Sequence, residues 1–126
     1  MIGLLANDLP SNHHPPNLPT LMAPRLIELC FQTAGLWEMG MQDRMGLPRH
    51  LDWVSSSPVQ EPVNARMYAV VTPGPVQGAF QAEVVDAKGN RYVHLRGYRT
   101  VATPSAVDAE RVKALRALLS PAPVAA

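Results

Sequence analysis

From Arg25 to Leu47 the chain runs without a proline, although 13 of its 126 residues are proline. Pro24 suits the first turn of a helix, where its missing N–H is not needed. Gly46 and Pro48 form a stop signal. These limits predict a helix over 24–45, roughly 33 Å long at the usual rise per residue. Leu26, Ile27, Leu29, Cys30, Phe31, Ala34, Leu36, Trp37, Met39 and Met41 leave little polar surface on it. A helix apolar on most sides is a buried helix. Charges gather late, at Glu38, Asp43 and Arg44, so only that end is expected to reach water.

Such a helix needs cover, and the remaining sequence reads as antiparallel sheet. Residues 1–23 read as an irregular lead-in or linker, because His13, His14, Pro15, Pro16 and Pro19 prevent a regular helix. Strands are expected near 49–55, over 65–72, over 77–86 and from Asn90 to Val101. Pro73-Gly74-Pro75 makes a turn, and Asp86-Ala87-Lys88-Gly89 a hairpin turn with Gly89 free to take positive φ. On the last strand Val93, Leu95, Gly97 and Val101 alternate with Tyr92, His94, Arg96 and Tyr98, a half-buried pattern. A final amphipathic helix is expected over 105–119, capped by Ser105 with Asp108 three residues on. Its apolar stripe is Val107, Val112, Leu115, Leu118 and Leu119, and a loose tail follows over 120–126. The result is an α+β domain over 24–103, with 104–126 as an appended helix and tail. About four strands curl round one face of the long helix, and a second subunit or domain is needed to cover the remainder.

Composition narrows the function classes. Eleven basic and ten acidic residues give a net charge of +1. The cations are scattered, so neither nucleic acid nor an anionic membrane is expected as partner. The single cysteine, Cys30, allows no internal disulfide, which fits a reducing cytoplasm. No Cys/His cluster is present, so no metal is expected. The first residues lack a basic n-region, and no run reaches the ~18 apolar residues of a membrane span.

The candidate chemistry sits on the long helix. Glu28, Gln32 and Gly35 follow one another at helical spacing and share a face. Burial disfavours the charged form of a carboxyl, so an acid in an apolar setting can stay protonated near neutral pH and donate its proton. Gln32 can hold that carboxyl or a substrate hydroxyl. Gly35 leaves room for a substrate chain against the backbone, and Met39, one turn on, can meet that chain. The competing reading is that Glu28 is an acid near the helix N-terminus, stabilised by the macrodipole and open to solvent. For Trp37, Met39, Met41 and Met45, packing in a core or interface competes with ligand contact. His13 and His14 lie in the lead-in. His50 and His94 lie on expected strands, with His94 on an exposed or interfacial face, and no histidine has an acid at triad or metal-ligand spacing. Ser55-Ser56-Ser57 lacks the G-x-S-x-G elbow, and no phosphate loop follows Thr72-Pro73-Gly74-Pro75.

The stretch Pro24-Arg25-Leu26-Ile27-Glu28-Leu29-Cys30-Phe31-Gln32 resembles the central-helix motif of polyketide synthase dehydratase domains, in the C-terminal half of their double hotdog. The later order is similar too: a strand with Tyr68, a turn, a strand ending at Asp86-Ala87-Lys88-Gly89, and a strand closing on Arg96-Gly97-Tyr98-Arg99. The resemblance covers residues 20–103. It implies a hotdog fold, a long central helix wrapped by a curved antiparallel sheet. It also implies dehydration of a 3-hydroxyacyl chain carried on the phosphopantetheine arm of an acyl carrier protein, without a cofactor. Glu28 takes the place of the acid that protonates the leaving hydroxyl, and Gln32 that of its amide partner.

Two departures stand out. The family has Asp where this chain has Glu28, and the extra methylene moves the carboxyl by about 1.5 Å, a displacement that can cost a hundredfold in rate. The family's base belongs to a histidine-x-x-x-glycine motif in the first hotdog, but four residues after His13 and His14 stand Asn17 and Leu18. The base is therefore expected from a second hotdog or a homodimer partner. Two other expectations stay open: a non-catalytic hotdog module that binds an acyl carrier or partner domain, and a hotdog acyl thioesterase.

Overall fold

The computed structural model describes residues 1–12, 14–16, 18–57, 65–105 and 107–120. His13 and the tail over 121–126 lie outside them. In chain order the elements are β1 (Ile2–Leu4), α1 (Pro24–Gln42), β2 (Gly46–His50), β3 (Trp53–Ser56), β4 (Met67–Pro73), β5 (Ala79–Asp86), β6 (Arg91–Ala102) and α2 (Ala109–Leu119). The strands form one antiparallel sheet in the order β1-β4-β5-β6-β2, with β3 also paired to β6. The long helix lies against this sheet, as expected of a hotdog. The sheet has six strands rather than four. Ile2–Leu4, read as part of an irregular lead-in, is an edge strand in register with Tyr68–Val70. The segment near 49–55 is two strands, β2 and β3, lying end to end along β6.

The core is the buried side of α1 against one face of the sheet. Leu26, Leu29, Cys30 and Ala34 meet Met67, Ala69, Val71, Phe80, Ala82, Val84, Val93, Leu95 and Tyr98. Phe31 stacks on Tyr98 with ring centroids 4.7 Å apart, and Trp37 meets Phe80 edge-on at 5.8 Å. Aromatic pairs at these separations add about 1 kcal/mol beyond their area.

Two expectations about α1 are corrected. It stops at Gln42 rather than 45, because Asp43 turns left-handed (φ 52°, ψ 32°) and its N–H closes on the Glu38 carbonyl. Glu38, expected in water, is fully buried. Its carboxylate lies beside Gly46, and Arg44 Nε sits 2.6 Å from Oε2. The geometry is that of a charge contact rather than an aligned hydrogen bond. The helix ends early enough for the chain to fold back and bring Arg44 over this acid.

On β6 the expected alternation holds only as far as Arg96. Four β6 residues, Leu95 to Tyr98, span the three from Ala82 to Phe80 on β5, so β6 carries an extra residue at Gly97, whose φ is +61°. A one-residue bulge reverses which face each later side chain occupies. Tyr98 and Thr100 therefore point inward, while Val101 is exposed. The turn at Asp86–Gly89 forms as expected, with Gly89 at φ +85°. The final helix starts at Ala109, not 105. Asp108, not Ser105, caps it by accepting from the N–H groups of Glu110 and Arg111. Of its expected stripe Val112 is buried, but Leu118 is 82% exposed.

Candidate active site

Glu28 and Gln32 are exposed, which corrects the expectation of a buried acid. The reason is the sheet's reach. It covers the side of α1 that carries Leu26, Cys30 and Ala34, and leaves open the side that carries Glu28, Gln32 and Leu36. The four expected site residues do share that open stripe, since Glu28, Gln32, Gly35 and Met39 are spaced by 4, 3 and 4 residues. Gln32 Nε2 donates to Glu28 Oε1 at 3.2 Å. A Cβ placed on Gly35 would touch nothing within 4 Å. Gly35 and Met39 are half-buried.

Beside the acid lies a cavity of about 580 Å³, walled by Leu4, Leu5, Leu9, Pro10 and Asn12 of the lead-in and by Arg25, Glu28, Leu29 and Gln32 of α1. Gly35 and Met39 do not line it. Arg25 Nε donates to Asn12 Oδ1 at 3.0 Å and fastens the lead-in to the helix. The cavity thus depends on β1. Once β1 adds to β4, the lead-in must cross the N-terminal turns of α1. Apolar walls with a few convergent polar groups are the usual make-up of a small-molecule site.

A second hollow, about 230 Å³, lies between Phe31, Tyr98, Pro48, Arg49, His50 and Leu51. His50 Nε2 is 2.8 Å from Asp52 Oδ1, and Arg99 Nη2 donates to the same oxygen at 2.7 Å. These two partners, the histidine first, hold the Asp52 carboxyl below its ordinary range. Burial pushes the Tyr98 phenol well above its usual value. The sequence reading gave His50 no acid partner. The signal was present, since residues two apart share one side of an extended chain, and His50-Leu51-Asp52 is such a pair. His94 is different. It meets the exposed Trp53 edge-on at 5.4 Å on the outer sheet face, and burial with nearby Arg91 and Arg96 lowers its affinity for a proton.

Among the described residues no group of His, Cys, Asp and Glu could hold a metal ion, and no helix is long and apolar enough to cross a membrane. Comparison with curated proteins and with solved structures found no match. A family model does match, the polyketide synthase dehydratase N-terminal domain, over residues 3–110. The expected assignment to the C-terminal half of the double hotdog is not supported, because the matching model is that of the N-terminal domain and its match takes in β1 and the lead-in. A long helix packed on an antiparallel sheet, an acid–amide pair on its open stripe and a family match over most of the sequence agree: the chain belongs to the polyketide synthase dehydratase N-terminal domain family.

Proposed function

We propose that the chain takes part in removing water from a 3-hydroxyacyl thioester carried by an acyl carrier protein, with Glu28 as general acid and Gln32 as its orienting partner. The observation that carries this reading is the Gln32–Glu28 hydrogen bond, 3.2 Å long, on an otherwise uncovered helix stripe beside a largely apolar cavity. A substrate chain or a second hotdog laid along that stripe would exclude water from Glu28 and favour its protonated form. The carboxyl would then give its proton to the departing 3-hydroxyl, which leaves as water. Gly35 and Met39, farther along the stripe, would meet the acyl chain. The base is not located by motif. Residues four after the histidines are Asn17, Leu18, Val54 and Tyr98, none of them glycine.

The test is Glu28→Gln in the assembled enzyme, followed by mass spectrometry of the thioester. Turnover to the 2-enoyl product is expected to fall 10²–10⁴-fold, the usual contribution of general acid–base catalysis, with the fold unchanged because the residue is exposed. An unchanged rate overturns the assignment. The same exposure favours a second reading, a hotdog thioesterase in which Glu28 directs water at the thioester carbonyl. Free 3-hydroxy acid as the product would support that reading. Carrier binding with no product of either kind would support an interaction module.

A further inference from the structure

We infer that the cavity beside Glu28 receives the thioester end of the substrate, with Arg25 donating to the thioester carbonyl oxygen. This rests on the dehydration reading above and adds to it a direction for the substrate and a second group that touches it. Arg25 is half-buried in the first turn of α1, three residues before Glu28, and both side chains line the same cavity. Its Nε–H donates to Asn12 Oδ1 at 3.0 Å. A guanidinium holds its N–H donors in one rigid plane, so this bond to the lead-in restrains the plane and leaves both Nη groups for a ligand. Among the described residues no carboxylate forms an ion pair with Arg25. Glu28 faces the same cavity but is bonded to Gln32 instead. Arg25 is thus a cation without an acid, set beside Leu5, Leu9 and Leu29. Donors fixed in a largely apolar wall act more strongly on an oxygen that comes to rest there than donors in open water do.

Dehydration needs a donor of this kind. The α-proton of a thioester becomes acidic only as the carbonyl oxygen takes up negative charge. In a 3-hydroxyacyl thioester that oxygen is on carbon 1 and the leaving hydroxyl on carbon 3. Arg25 and Glu28 are neighbours on one helix face, about 4.5 Å apart along the axis, so the two side chains can serve those two oxygens together. The pairing sets a direction. With the carbonyl at Arg25 and the hydroxyl at Glu28, the acyl chain runs on toward Gly35 and Met39, and the sulfur and its pantetheine arm turn into the cavity under the lead-in. A general base of the assembled enzyme takes the α-proton. The C–H electron pair moves toward the carbonyl, and the Arg25 Nη–H groups stabilise the charge on its oxygen. The pair then forms the C2=C3 double bond as the C3–O bond breaks, and the hydroxyl takes the Glu28 proton and leaves as water. Arg25 stays protonated throughout.

The experiment uses the assembled enzyme, 3-hydroxyacyl pantetheine thioesters as substrates, and two inhibitors that cannot lose water. These are butyryl pantetheine and the butyl thioether, which lacks the carbonyl oxygen. Arg25→Ala is expected to lower kcat about 10²–10³-fold, as loss of an oxyanion donor does. The parent is expected to bind the thioester at least roughly tenfold more tightly than the thioether, the scale of one charge-assisted hydrogen bond, and Arg25→Ala to bind the two alike. Asn12→Ala, which frees the lead-in but keeps the guanidinium, lowers kcat less than about tenfold. Leu9→Trp narrows the cavity and raises KM by the same factor for acyl chains of four and ten carbons. A rise confined to the longer chain would place the acyl chain in the cavity and overturn the inference. A loss in Asn12→Ala equal to that in Arg25→Ala would make Arg25 a fastener of the lead-in, and also overturns it. So does a parent that does not distinguish thioester from thioether, or an Arg25→Ala variant as fast as the parent. If Glu28→Gln still abolishes turnover in those cases, the dehydration reading survives and only Arg25 is misassigned. A Glu28→Gln variant as fast as the parent brings down the dehydration reading itself.

Discussion

Glu38 and Arg44 show how one pair can govern the frame around a site. Glu38 is fully buried, and among the described residues its carboxylate has no aligned hydrogen-bond donor, only the charge of Arg44. Removing one member of a buried pair leaves an uncompensated charge, at about 3–5 kcal/mol. Arg44→Ala is therefore expected to lower unfolding stability by about 3 kcal/mol in urea, whereas the double variant Arg44→Leu with Glu38→Leu recovers most of that. A loss under 1 kcal/mol for the single variant would mean that water satisfies the acid. Gly97 depends on its surroundings in a similar way. Its positive φ and its closeness to Asp52 make it a structural requirement of the His50 cluster, although by sequence it reads as an ordinary inward residue of an alternating strand.

At the scale of elements, α1 carries two unlike faces. Its buried side is settled by packing against the sheet. Its open stripe contains a glycine whose Cβ position is empty, so nothing among the described residues requires Gly35 to lack a side chain. Gly35→Ala is expected to raise unfolding stability by about 0.5–1 kcal/mol, the propensity difference in a helix interior, and to reduce dehydration if an acyl chain lies there. Higher stability with unchanged kinetics would remove Gly35 from the substrate path. The β5–β6 hairpin carries its own pH signature. Asp86 is held down at about 2, first by the Asn90 side chain and also by the Tyr92 hydroxyl and the N–H groups of Lys88 and Asn90. A carboxyl held below its ordinary value of 3.8 contributes stability above that value and loses it as pH falls toward about 2. Amide exchange at the turn is expected to accelerate across that interval, and Asp86→Asn to flatten the dependence.

For the whole molecule the core is the quantity to probe, and Cys30 reports on it. The thiol is fully buried, and burial pushes it up to about 12. It should react with an aromatic disulfide at pH 8 at least a thousandfold more slowly than a free thiol, at the rate set by unfolding. Rapid labelling of the native protein would mean that α1 is not seated on the sheet as described.

Much of this architecture is legible in the sequence because its causes are local. Pro24 at the start of an apolar run sets where α1 begins, Asp86–Gly89 encodes its own turn, and the spacing of Glu28, Gln32 and Gly35 puts them on one face whatever lies around them. What lies around them is decided by long-range pairing. That the stripe is open, that Glu38 is buried, that Ile2–Leu4 closes an edge of the sheet and that Tyr98 turns inward all depend on registers between residues far apart in the chain. A single extra residue at Gly97 reverses a face that simple alternation reads the other way. The His50–Asp52–Arg99 array combines both kinds of cause: its first two members stand two residues apart, and the third reaches them only because β6 pairs with β2. The acid and its amide are thus properties of the chain itself. Their exposure, the cavity beside them and the histidine array belong to the tertiary structure, because only the pairing of distant strands determines which side of a helix the sheet can cover.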